Sequence, residues 1–177
     1  MSLDDDSKVL FTETQRVRQK WIWCLAVGIP SLVVIILILN VLRPESEINS
    51  DTLISLTVSI ALVVLISYLL WHARLDTVID LEGLTYRFAP FHRSPRHISW
   101  DNVSVAVVRQ YRPIVEYGGW GLRWGFSGLA YNVSGNMGLQ IELRNGRRIL
   151  IGTQKPEEIK RVVTKLRESG KIPATEY

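Results

Sequence analysis

Two stretches of the chain carry no charge at all. WIWCLAVGIPSLVVIILILNVL (Trp21–Leu42) runs for 22 positions without a charged residue, and LISLTVSIALVVLISYLLW (Leu53–Trp71) runs for 19. At about 1.5 Å per residue the first reaches ~33 Å as a helix, enough for a hydrocarbon core of about 30 Å. Neither stretch has the polar face that a helix lying on a soluble core keeps. The pattern predicts two transmembrane helices, 21–42 and 53–71, joined by a short loop, 43–52. Pro30 removes a backbone donor inside the first span and is expected to bend it. Ser55, Ser59 and Ser67 are expected to face the first helix, where small residues allow close approach, and Asn40 to reach headgroups or that partner helix. No ionisable group lies inside either span, so the usual mark of an ion or proton path is missing.

After Arg74 the period changes from helical to alternating. In DTVIDLEGLTYRF, Leu84, Tyr86 and Phe88 share one strand face, with Glu82-Gly83 as a hairpin turn. In ISWDNVSVAVVRQ, Val103, Val105 and Val107 alternate with Ser104 and Ala106. In LQIELRNGRRILIG, Leu139, Ile141 and Leu143 alternate with Gln140 and Glu142. Asn145-Gly146 then predicts a type I′ turn, and Ile149–Ile151 returns as the partner strand. Pro156 suits the first position of a helix, with Glu157 and Glu158 at its positive end. Ile159, Val162, Val163 and Leu166 form one apolar stripe, and Gly170 ends the helix. Residues 72–177 therefore read as a mainly β domain closed by a C-terminal α-helix.

Two N-terminal spans preceded by TETQRVRQKWIW, then strands, ISWDNV, the late hairpin LQIELRNGRRILIGT and a final helix opening QKPEEI together resemble the bacterial membrane proteins that carry a pleckstrin-homology-like domain. The resemblance covers most of the chain and carries no catalytic signature. It implies a strongly bent antiparallel barrel of about seven strands capped by the C-terminal helix. Eukaryotic members of the wider fold often bind phosphoinositides through basic residues in the first strand loops. The dense Lys/Arg pattern of such sites is absent here, so that role does not carry over.

Charge refines the layout. From His72 onward there are sixteen Lys+Arg against ten Asp+Glu, a net of +6; the first 71 residues carry five against seven, a net of −2. The loop 43–52 holds one arginine against Glu45, Glu47 and Asp51. The outer ends of the spans hold Arg16, Arg18 and Lys20 on one side and Arg74 on the other. The positive-inside rule then puts both termini in the cytoplasm, with residues 1–20 as a cytoplasmic juxtamembrane segment of a multi-pass inner-membrane protein. Trp21, Trp23 and Trp71 fall at that same face. Asp4–Asp6 and the length of the first span argue against a cleaved signal peptide. No Lys/Arg run points to nucleic acid. Cys24 is alone, so no intrachain disulfide or cysteine metal site is available.

Catalytic groupings are not evident. His72, His92 and His97 share no metal-ligand spacing with carboxylates, and there is no nucleophile elbow, phosphate loop or paired acidic motif. No cofactor is expected. Two segments stand out instead. FHRSPRH, with Arg87 just before it, offers Arg87, His92, Arg93 and Arg96 to anionic headgroups, each cation worth about 1 kcal/mol near a membrane. EYGGWGLRWGFSGLAYN (Glu116–Asn132) holds five glycines and five aromatic rings. Alternation of Leu122, Trp124 and Phe126 reads as a strand burying that face. Trp120, between Gly119 and Gly121, reads as exposed. With Arg109, Tyr111 and Arg112 ahead of it, the segment supplies hot-spot residue types, so Arg109, Tyr111, Arg112, Tyr117, Trp120, Arg123 and Trp124 form a candidate surface for a membrane protein partner, a second copy or the bilayer. The expected function is a non-enzymatic, membrane-anchored interaction or scaffold module; the alternative is a module sensing anionic lipid headgroups.

Overall fold

A computed structural model of the chain describes residues 9–17, 20–43 and 49–173. It forms two units: Val17–His72, and a β unit made of the residues before and after that segment.

The first unit is helical. The first apolar helix is built from α1 (Lys20–Trp23), a π-helical turn (Cys24–Gly28) and α2 (Ile29–Val41). The irregularity expected from Pro30 takes the form of this widened turn just ahead of the ring, which lacks an N–H and crowds the preceding carbonyl. The second helix, α3 (Ser50–His72), starts three residues before the expected span, with Asp51 in its positive first turn. Polar side chains in both helices bond back to their own backbone. Asn40 Nδ2 donates to Ile36 O (2.9 Å), and Ser67 Oγ donates to Val63 O (2.7 Å). The rings of Trp23 and Trp71 meet edge to face, 6.2 Å apart. Both helices are long and apolar enough to cross a membrane.

The β unit has nine strands among the described residues, in two sheets rather than one closed barrel. The first sheet is the meander β1 (Val9–Arg16), β2 (Arg74–Asp80), β3 (Gly83–Ala89) and β4 (Arg96–Ser99). The segment expected to be only juxtamembrane thus contains a strand. Thr12 pairs with Val78 and Arg16 with Arg74, so the helical unit is inserted between two neighbouring strands. Buried polar groups on β1 hold it to the second sheet. Glu13 Oε2 accepts from Thr153 Oγ1 (2.7 Å), Glu13 Oε1 from the Gln154 N–H (2.8 Å), and Gln15 Nε2 donates to Gly152 O (2.6 Å). Leu84, Tyr86 and Phe88 are buried on one face, as their alternation requires. Asp80 Oδ1 accepts from the N–H groups of Glu82 and Gly83 to close the β2–β3 turn.

The second sheet contains β5 (Val103–Gln110), β6 (Gly121–Gly125), β7 (Gly128–Asn132), β8 (Met137–Leu143) and β9 (Arg148–Gly152), in the order β5-β8-β9-β7-β6. One pair, β7 with β9, is parallel, against the antiparallel expectation. A bulge at Ser104 shifts the register of β5, so Val103 and Ala106 are buried instead of Val103, Val105 and Val107. The Asn145-Gly146 turn is not type I′. That type needs positive φ at both central residues, and only glycines have it among the described residues. Helix α5 (Pro156–Glu168) buries Ile159, Val162, Val163 and Leu166 as predicted, and Arg167 Nη2 donates to Ala106 O (2.6 Å) to fasten it across β5.

Candidate functional site

Between β5 and β8 the chain leaves the meander and builds helix α4 (Pro113–Tyr117) and the β6–β7 hairpin. This is where the glycine-aromatic segment goes, and its residues divide into an inner and an outer set.

The inner set is structural. Tyr111 is buried and its hydroxyl accepts from Asn132 Nδ2 (2.9 Å); burial pushes its pKa up to about 12. Tyr117 is buried 5.9 Å from the Tyr111 ring, edge to face, and burial also raises its pKa. Arg109 donates to Glu116 Oε2 (2.7 Å) and to Gln140 Oε1 (3.1 Å). Glu116 Oε1 accepts from the Arg112 N–H (2.7 Å), so its side chain reaches back over the N-terminus of α4. The bond from Arg109 first, then that N–H, hold the Glu116 carboxyl below its ordinary value despite some desolvation. Arg109, Tyr111 and Tyr117, expected on a contact surface, are therefore the internal frame of the insertion. Gly118 ends α4 in the left-handed region (φ 70°), and its N–H donates to Ile114 O (2.9 Å).

The outer set reverses the expected roles of the tryptophans. Trp120 is half-buried, with Nε1 donating to Gly135 O (2.8 Å). Trp124 is 79% exposed and Phe126 fully exposed. Hairpin register explains this. Trp124 pairs with Leu129 and Gly125 with Gly128, leaving Phe126 and Ser127 as the turn, on an edge strand with one open flank. Arg112 and Arg123 are exposed, as are Ile114 (68%) and Val115 (70%) on α4.

The expected lipid loop also divides. His92 is buried, 6% exposed, its ring packed on Tyr86 and Tyr131. Its Nδ1 accepts from the Phe88 N–H (3.3 Å), which requires an unprotonated nitrogen there. Desolvation, then the charge of Arg96, lower its pKa. His92 is therefore turned away from a headgroup, because the backbone and two aromatic neighbours, Tyr86 and Tyr131, engage it. Arg87 Nε donates to His92 O (3.3 Å) and Arg96 Nη1 to Tyr131 Oη (3.3 Å), while Arg93 is exposed. Sequence reasoning missed Arg144, Arg147 and Arg148, which line the exposed turn between β8 and β9. Their clustering in RNGRR was the available signal.

No group of three or more potential metal ligands occurs among the described residues. No family model matches the chain, and no curated protein matches it.

Proposed function

We propose that the protein is a non-enzymatic, membrane-anchored interaction module that holds a pleckstrin-homology-like domain at the inner leaflet and supports a membrane protein complex. One observation carries this reading: the two apolar helices are inserted between paired strands β1 and β2. With β1 ending at Arg16 and α1 starting at Lys20, and α3 ending at His72 and β2 starting at Arg74, the domain is joined to the helices by two short connections. A domain so attached works at a membrane or loses the use of its attachment. The strand order supports the fold resemblance. Without the inserted β6–β7 hairpin, a four-stranded meander, a three-stranded meander (β5, β8, β9) and a terminal helix remain, the seven strands and helix that the resemblance implies.

In this reading both termini are cytoplasmic, and Arg112, Trp120 and Arg123 of the contact set, with Ile114 and Val115, face the partner. The test has two arms. Cysteines placed in the loop 43–52 should react with a membrane-impermeant reagent from outside, and cysteines near either terminus should not. Full-length protein purified in mild detergent should carry a stoichiometric membrane protein that Ile114→Asp/Val115→Asp releases without unfolding the chain. A reversed labelling pattern would refute the topology, and no companion in either sample would refute the scaffold role.

A further inference from the structure

The end of the second sheet where β6 turns into β7 and β8 turns into β9 collects two kinds of side chain. Trp124 and Phe126 stand on the first hairpin, and Arg147 and Arg148 on the second, around a cleft of about 410 Å³. Parallel pairing of β7 with β9 brings them together, because both strands start at this end (Leu129 opposite Ile149). The junction is rigid. Gly128 has φ 102°, and a Cβ there would strike the Arg148 carbonyl oxygen, so the hairpin sits against β9 with no space for a side chain.

The exposed charge at this end is mostly basic. No acidic residue occurs from 117 to 141, where Arg123 is the single charged residue, and the turn from 143 to 149 carries Arg144, Arg147 and Arg148. Of the acids at this end, Glu116 accepts from Arg109 Nη2 (2.7 Å) and from Ser127 Oγ in the turn (3.4 Å), Glu142 is paired with Arg148 Nε, and Asp101, which is exposed, accepts from Ser99 Oγ (3.5 Å).

We propose that this tip is a second membrane contact: Trp124 and Phe126 enter the interface of the bilayer, and Arg144, Arg147 and Arg148 hold the phosphates of anionic phospholipids. The inference rests on the membrane-anchored reading and names a ligand for a surface of that domain. The chemistry of the cleft favours a phospholipid over a protein. It presents an aromatic wall beside guanidinium groups, as suits a molecule that is anionic at one end and apolar along the rest. Its two most exposed rings stand at the end of an edge hairpin, whereas protein hot spots lie in the centre of packed patches ringed by water-excluding contacts. Projecting aromatic side chains with flanking cations are the composition of an interfacial anchor. The two connections to the helices supply the bilayer at high local concentration, so weak affinity suffices. The contact fixes the orientation of the domain and leaves the α4 face for the partner.

The test uses the full chain in nanodiscs, with Cys24→Ser and Phe126→Cys carrying an apolar bimane label. Phe126 is fully exposed, so the substitution disturbs no packing. A Lys160→Cys label on the exposed side of α5 is the control. Brominated acyl chains should quench the label at 126 in discs containing phosphatidylglycerol. Quenching should fall in phosphatidylcholine alone, with the equilibrium weakened by about fivefold for each of Arg144→Ala and Arg147→Ala. The label at 160 should not respond. An unquenched label at 126, with a bimane label on the native Cys24 of the otherwise unchanged chain still quenched, overturns this inference and leaves the membrane anchor standing. Loss of both signals overturns both. A label shielded from water yet unquenched by the brominated chains, and cross-linked to a second protein, would make the tip a protein-docking surface and likewise overturn the lipid contact.

Discussion

The β3–β4 loop (Pro90–Pro95) and the tip of the β6–β7 hairpin (Trp124–Gly128) both join aromatic rings to nearby arginines, yet His92 of the first is buried while Trp124 and Phe126 of the second are exposed. In the loop, the His92 N–H donates back to Phe88 O (2.8 Å) while its ring accepts from the Phe88 N–H, and Tyr86 and Tyr131 close over it. In the hairpin, Phe126 occupies a turn beyond the last paired residues of an edge strand, with no strand across from it. Residue type does not distinguish the two. What distinguishes them is whether neighbouring elements supply partners and cover.

The comparison breaks most readily at the glycine that seats the hairpin. Gly128→Ala adds a Cβ at positive φ and against the Arg148 backbone, and should cost on the order of 3 kcal/mol, read as a loss of unfolding temperature in detergent. If that variant matches the parent, the hairpin is not rigidly seated. Next comes His92→Ala, which removes a packed ring and orphans the Phe88 N–H; the expected loss is about 2 kcal/mol in the same measurement.

A pH titration sharpens the contrast. The folded state holds His92 at a lowered pKa, so the unfolded chain binds its proton first. Stability contributed by neutral His92 is fully present above about pH 6.5 and declines as pH falls toward the folded value. Glu116, also lowered, adds an acid-side loss of the same sign that begins only near its own ordinary value of 4.5. His92→Asn keeps an acceptor for Phe88 and should flatten the thermal-stability profile just below about pH 6.5 while leaving the lower limb that Glu116 sets. The smallest effect belongs to the tip: Trp124→Ser and Phe126→Ser should each change stability by less than about 0.5 kcal/mol, because almost nothing covers either ring. A large loss from either would mean the rings are packed after all.

Local patterns in the sequence carried much of the architecture. The uncharged runs, the alternating face of β3 and the apolar stripe of α5 each follow from a period that repeats within one element. The candidate site was legible only as a segment. EYGGWGLRWGFSGLAYN marked where an unusual structure would form, but its residues were sorted wrongly. Alternation of Leu122, Trp124 and Phe126 suggested a buried face, yet β6 is an edge strand whose hairpin turns at Phe126. Glycines around Trp120 suggested exposure, yet Gly135 O receives its indole N–H. Arg109 looked like a surface cation until Glu116 and Gln140 came within reach of it.

The sequence by itself determined the elements whose partners are near in the chain: two apolar helices, the hairpins and the closing amphipathic helix. Tertiary structure decided which strand stands beside which. It put β1 back against β2 across the whole helical insertion, aligned β7 parallel to β9, and shifted β5 by one residue at Ser104. Those pairings join residues distant in sequence, and they turn Tyr111, Tyr117 and His92 inward while leaving Trp124 and Phe126 outside. A side chain's own neighbours set its local conformation; its burial depends on long-range register, which no local period encodes.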